Sequence, residues 1–187
     1  MANFHIYAWK QRKLGDCFSE RAERPDKGEL ISVTINSGVI KSSDLDRKDN
    51  SSKDKSNYKK VEINDIAYNS MRMWQGASGV SAYSGILSPA YTVLIPNEGV
   101  SPLFFSYQFK LEKMLDLFRV NSQGLTSDTW NLKYPLIKNI EVFIPTLAEQ
   151  QAIGEFFKQL DDTIAFHQRE LEKYQQLKQV LLDQLFV

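Results

Sequence analysis

Residues 69–79 read NSMRMWQGASG and place Arg72, Trp74 and Gln75 within four positions of one another. A guanidinium fork, a carboxamide and an indole supply directed hydrogen bonds and a flat stacking surface, but no nucleophile. Their chemistry is that of recognition. Gly76 and Gly79 favour a loop over the interior of a helix or strand, so these side chains are expected on a loop that touches something. Asn69, at the start of the stretch, is suited to hold the loop itself.

The flanking elements must position that loop. VEINDIAYNS alternates apolar and polar residues and predicts a strand running directly into it, so Arg72 to Gln75 should sit just past a strand end, a common functional position. Upstream, Leu14, Cys17 and Phe18 have helix-compatible spacing and predict a short helix broken at Pro25 and Gly28. ELISVTI, bounded by NSG, predicts a strand and turn. Residues 41–60 carry seven basic and four acidic side chains with almost no apolar content, which predicts a solvated loop, with a phosphate-facing patch as the alternative.

Downstream, Tyr91 to Ile95 reads as a strand ended by Pro96. Ser101 as cap and Pro102 in the first turn open a helix that buries Leu103, Phe104, Tyr107, Leu111, Met114, Leu115 and Phe118. A long polar link around Gly124 follows, and IEVFIP gives a last strand stopped by Pro145. Trp74 and Trp130 are expected in the core, since large aromatics mostly serve packing. Short strands interspersed with short helices predict an α+β domain with a mixed β-sheet, whose strand order cannot be read.

From Thr146 the character changes. TLAE fits a capping box, and no proline follows it. Ile153, Phe157, Leu160, Ile164, His167, Leu171, Tyr174, Lys178, Leu181 and Leu185 are spaced alternately by four and three, the seam of a coiled coil. At about 1.5 Å per residue the helix should extend roughly 60 Å and needs a partner helix. His167 and Lys178 cost stability on that seam but can fix register.

The chain of 187 residues suits one domain with an extension: 1–145 as a globular head and 146–187 as the long helix. It has no long apolar run and no signal-peptide core, which predicts a cytoplasmic protein without a membrane span. One cysteine, Cys17, and two histidines, His5 and His167, do not make a zinc site, and Cys17 and His5 carry no functional argument. A formal net charge of +0 gives no global attraction to nucleic acid, although a local basic face remains compatible with it. No phosphate loop, dinucleotide fingerprint, H-E-x-x-H or G-x-S-x-G is present, and Asp161 and Asp162 read as solvated helix carboxylates, so no enzyme is expected.

Several segments together resemble the specificity (S) subunit of type I restriction-modification systems: WKQRKLGDCFSERAER, DIAYNSMRMWQGASG, GILSPAYTVLIP, SQGLTSDTWNLKYP and the ending from IEVFIPTLAEQQAIGEFFKQLDDTI onward. The ending is the most specific, because a proline, a short link, EQ and a later LD mark the junction between a target recognition domain and its long helix. A full S subunit resembles two such domains with two helices packed antiparallel. This chain is similar to one half.

The resemblance implies that the head, a single target recognition domain, reads half of a split double-stranded DNA site through the major groove. Arg72 would contact guanine and Gln75 adenine, Trp74 would pack beneath the loop or stack, and Asn69 would complete the loop. Ser122, Gln123, Thr126 and Ser127 form a second candidate surface, with Gly124 permitting close approach to the DNA backbone. Lys41, Lys59 and Lys60 are weaker phosphate candidates. The helix, through Ile153, Phe157, Leu160, Ile164, Leu171, Tyr174, Leu181 and Leu185, would form an antiparallel homodimer and dock modification subunits. Those subunits would bind S-adenosylmethionine and methylate adenine, this chain needing no cofactor of its own, and a restriction subunit would join through the complex. The rival reading is a coiled-coil interaction module whose head binds protein instead of DNA.

Overall fold

The computed structural model describes residues 9–46 and 51–186, so His5 and residues 47–50 of the charged run lie outside the described residues. The chain forms β1 (Lys10–Lys13), α1 (Leu14–Cys17), β2 (Phe18–Glu20), β3 (Ile31–Thr34) and β4 (Gly38–Lys41). Next come β5 (Lys59–Val61), β6 (Ile66–Asn69), β7 (Ser78–Val80), β8 (Gly85–Leu87) and β9 (Tyr91–Pro96). It ends with α2 (Pro102–Gln108), α3 (Glu112–Asn121), α4 (Tyr134–Ile137), β10 (Glu141–Ile144) and α5 (Leu147–Leu185). Short 3-10 turns occupy Ser42–Asp44 and Met73–Gln75.

A four-stranded sheet in the order β2-β9-β6-β7 is flanked by the two-stranded pairs β1-β10, β3-β4 and β5-β8. Every strand ladder is antiparallel, and the parallel contribution is a single bridge from Leu30 to Ile86. Because side chains alternate across a strand, the central strands serve two cores. Ile66, Tyr68 and Leu94 join the larger cluster with Phe18, Phe105 and Phe118, whereas Ala67 and Val93 point into a smaller one with Ile31, Val33, Val61 and Leu87. Each such aliphatic or aromatic side chain contributes about 1.5–3 kcal/mol by leaving water. The sheet that ends at the candidate loop is therefore clamped on both faces.

Two helical expectations are corrected. The N-terminal helix is one turn, α1, between strands β1 and β2, because Leu14 and Gly15 donate their amides to the carbonyls of Ile140 and Lys138 instead of extending a helix. Downstream of Ser101, the sequence forms two helices. Leu111 adopts an extended backbone as the N-cap of α3 and is exposed, not buried. The break folds the aromatic residues around Phe18: its ring lies 4.8 Å from Phe105 and 6.2 Å from Phe109, which in turn lies 5.3 Å from Phe118. Phe105 and Phe109, absent from the expected stripe, are fully buried.

The long helix starts on the predicted capping box, Thr146 Oγ1 accepting from the Glu149 amide while the Glu149 carboxylate accepts from the Thr146 amide. Its first turns dock on α2. Gln150 is buried, accepts a hydrogen bond from the Ser101 amide at 2.9 Å and donates to the carbonyls of Pro145 and Gly99. At Gly154 a Cβ would stand 3.0 Å from the Phe104 nitrogen, so glycine permits the close approach. Tyr107 then donates to Asp161 at 2.8 Å and packs on Phe157, ring centroids 5.3 Å apart. Beyond this the seam residues Leu160, Ile164, Leu171, Tyr174, Leu181 and Leu185 are exposed along a helix of 39 residues, roughly 58 Å at 1.5 Å per residue.

Candidate nucleic-acid interface

Strand β6 delivers the chain to the loop, and its end is fixed before the polar residues begin. Ser70 donates its amide to Ala90, accepts at its carbonyl from the Leu132 amide at 2.8 Å, and pairs its hydroxyl with that of Thr92 at 2.8 Å. Asn69 Oδ1 accepts from the Met71 amide at 3.0 Å, a side-chain turn that reverses the chain. Met73 is fully buried and anchors the 3-10 turn, which Gly76 ends in the left-handed conformation at φ 82°. With Met73 pointing inward, Arg72, Trp74 and Gln75 remain half-buried at the rim.

Arg72 reaches one backbone carbonyl, that of Met71, at 3.5 Å, and forms no ion pair among the described residues. This separates it from Arg21, whose guanidinium grips Asp65 through two bonds of 2.6 and 2.9 Å, and from Arg119, which bonds Asp116 at 2.9 Å. A fork with five donors and no carboxylate retains its capacity for a planar two-point acceptor. The Gln75 side-chain carboxamide likewise has no partner among the described residues, its backbone amide donating to the Arg72 carbonyl. Trp74 donates its indole N–H to the Met71 carbonyl at 3.2 Å.

The second loop comes to the first. Trp130 meets Trp74 edge to face, centroids 5.3 Å apart; neither ring is fully buried, and Trp74 packs against the larger core as expected while the pair also joins the two loops. Backbone bonds between Gln123 and Asn131, 3.1 and 2.8 Å, close this loop, and Thr126 and Thr129 form a tight turn inside it. Ser122 donates its hydroxyl to the Phe118 carbonyl and so finishes α3, while Thr126 is engaged within the turn. Of the four candidates in this loop, Gln123 and Ser127 have exposed side chains without a partner among the described residues. Gly124 has a role other than the expected one: at φ 147° a Cβ would lie 2.6 Å from the Thr129 carbonyl, so the space beside it is filled by its own loop.

The three lysines are held elsewhere. Lys41 pairs with Glu29 at 3.0 Å, Lys59 with Glu20 at 3.3 Å, and Lys60 with Glu62 at 2.7 Å. A lysine already paired has less to gain from a phosphate, and these carboxylates explain in part why the charged run is electrically modest. Two cations were missed by the sequence reading. Lys110, in the break between α2 and α3, donates to the carbonyls of Gly76 and Ile35 and so fastens the end of the first loop; burial lowers its pKa below that of an ordinary lysine. Lys133, three residues after Trp130, is exposed without an ion pair among the described residues. Only its proximity to the second loop in sequence pointed to it.

Fold and site together define a class: an α+β head presenting two joined polar loops, followed by one long exposed helix. Residues 7–176 match the family described as the type I restriction modification DNA specificity domain, and the chain belongs to that family. No curated protein matches it. Among solved structures, a chain from work on complex assembly and conformational transition of the type I R-M system is similar over 97% of this chain and 47% of its own, with TM-score 0.59 and 14% identity. The HsdS subunit from Thermoanaerobacter tengcongensis covers 90% of this chain and 41% of its own, with TM-score 0.53 and 16% identity. The type I S subunit from M. genitalium covers 96% and 46%, with TM-score 0.55 and 17% identity. The chain thus spans about half the length of the solved chains it matches.

Proposed function

We propose that this chain selects one half of a split double-stranded DNA target for a type I restriction-modification assembly, and that methylation and cleavage belong to partner subunits. The observation that carries the reading is the joining of the two loops by Trp74 and Trp130. It ties the loop that carries Arg72 and Gln75 to the loop that carries Gln123 and Ser127, side chains that the rest of the described chain leaves largely uncommitted. In a major groove, an arginine fork suits the two acceptors of guanine and an amide suits the acceptor and donor of adenine.

In this reading residues 1–145 read DNA and residues 146–187 associate. A second copy packs antiparallel on the exposed seam of α5, and modification subunits holding S-adenosylmethionine dock on the helices and close around the duplex. A restriction subunit joins that complex. The overall charge of +0 fits such a division, since the partners supply much of the phosphate contact. Among the described residues no helix is long and apolar enough to cross a membrane, and the assembly acts on DNA in the cytoplasm.

The test is methylation-site mapping in cells that express the cognate modification subunit with and without this chain. A new split adenine-methylated motif that appears only with the chain is the expected result, and its inverted symmetry would report two identical halves. If an active modification subunit yields no motif with this chain, the reading fails and a protein-binding head becomes the better account.

A further inference from the structure

Leu125 is 100% exposed, the most exposed of the large apolar side chains among the described residues. Solitary exposed leucines are common and mean little by themselves. Here both neighbours are fixed. Gly124 is pressed against Thr129 at a backbone angle that other residues rarely adopt. The Thr126 amide donates to Thr129 Oγ1 at 3.1 Å, and the Thr126 carbonyl accepts from the amides of Thr129 and Trp130 at 2.9 and 3.1 Å. Two further bonds between Gln123 and Asn131 close the base. The loop spends its internal hydrogen bonds on holding Leu125 outward, and Trp130 joins this loop to the one that carries Arg72 and Gln75.

We infer that Leu125 is a specificity-determining residue that reads a thymine through its 5-methyl group in the major groove. This rests on the proposed DNA-recognition function and adds to it a kind of contact that polar candidates cannot supply. Among the four unmodified bases thymine alone displays a methyl group in that groove, and an apolar side chain pressed on it excludes water from both. A leucine tip has nothing to offer a phosphate and no hydrogen bond for another base edge. Met71, also partly exposed, lies at the Trp74 side of the same joined surface.

The experiment measures affinity of the assembled complex for the mapped target by fluorescence anisotropy, replacing each thymine of the half-site in turn by deoxyuridine, which removes only the methyl. One position should weaken binding about fourfold, the value of one buried methyl-sized group. Leu125→Ala should weaken binding to the thymine duplex by a similar factor and show no further loss at that position. Because Leu125 is fully exposed, the variant should unfold like the parent. If every deoxyuridine is neutral, or if Leu125→Ala weakens thymine and uridine duplexes equally, the methyl contact is overturned while DNA selection stands. If the parent complex does not distinguish the mapped site from a scrambled duplex, the recognition reading falls and the inference with it.

Discussion

Trp74 and Trp130 meet edge to face at 5.3 Å with an interplanar angle of 74°, although each belongs to a different loop. Aromatic pairs of this geometry contribute about 0.5–1.5 kcal/mol beyond the area they bury. A double-mutant cycle with Trp74→Leu and Trp130→Leu, read by urea unfolding, should give a coupling energy in that range. The same single variants should blur the methylated motif, because each lets one loop move relative to the other. A coupling near zero would mean that the loops are positioned independently.

Arg72→Ala should weaken selection of the target by about 1–3 kcal/mol and relax the motif at one base pair, as loss of a two-point contact to a base requires. Lys60→Ala should change binding by less than about twofold, since Lys60 is already committed to Glu62 at 2.7 Å and both groups are solvated. Motif mapping distinguishes the two effects directly. A uniform loss across all sequences for Arg72→Ala would make it a phosphate contact instead.

The first loop was legible because its signals are local. Glycines, a preceding alternating strand and an amide at the loop start all lie within a dozen residues, and the capping box of α5 was legible for the same reason. What escaped was set by distance in sequence. Phe105 and Phe109 are core because Phe18 packs on both, and the break at Leu111 follows from that packing more than from any proline or glycine. The position of Trp130 beside Trp74 and the grip of Lys110 on Gly76 depend on chain crossings that no period records. Gly124 was expected to admit the DNA backbone, and its packing against Thr129 within its own loop was not foreseeable.

Asp65 accepts two bonds from Arg21 and one from the Glu62 amide at 2.8 Å, and it is almost wholly buried at the entrance to β6. The two carboxylates, Asp65 foremost and then Glu23, raise the pKa of Arg21 further, so the guanidinium stays charged at any working pH. Replacing Asp65 by Ala removes two of the bonds to the Arg21 guanidinium and leaves Glu23, at 2.8 Å, as its carboxylate partner, so the cost should fall below the about 3–5 kcal/mol of a wholly uncompensated buried charge. Chemical denaturation should show that loss, and Asp65→Asn, which still offers an acceptor to Glu62, should lose less. Equal stability of Asp65→Ala and the parent would contradict this account of the strand entrance.

Burial raises the pKa of the Cys17 thiol from 9.0 to about 11. The folded state therefore keeps a proton that the unfolded chain releases in this window. The thiol's contribution to stability is complete below pH 9 and is lost as pH rises from 9 to 11, by about 2–3 kcal/mol in all. Urea midpoints of the parent should fall more steeply across that interval than those of Cys17→Ser. Iodoacetamide at pH 8 should label the thiol only in the unfolded chain. Rapid labelling of the folded protein would refute its burial.

If two copies associate antiparallel through α5, one register pairs the alternating seam along its whole length, although Ile153 also packs against the core of its own head. It sets Ile153 against Leu185, Phe157 against Leu181, Leu160 against Lys178, Ile164 against Tyr174 and His167 against Leu171 of the second copy. Each polar seam residue then faces an apolar one, and the two-fold axis passes at the level of Arg169. Sliding by one heptad in one direction sets His167 against Lys178, and sliding in the other leaves the last turns uncovered. In the full register Gln168 meets its own counterpart beside the axis. Gln168→Cys should therefore form a disulfide-linked dimer under mild oxidation, with Cys17 buried and out of the reaction. Ile164→Cys alone should not, but it should cross-link to Tyr174→Cys when the two variants are mixed. Efficient self-linking of Ile164→Cys would indicate parallel helices instead, with both heads at one end, and the helix length would then not set the spacing between the two half-sites.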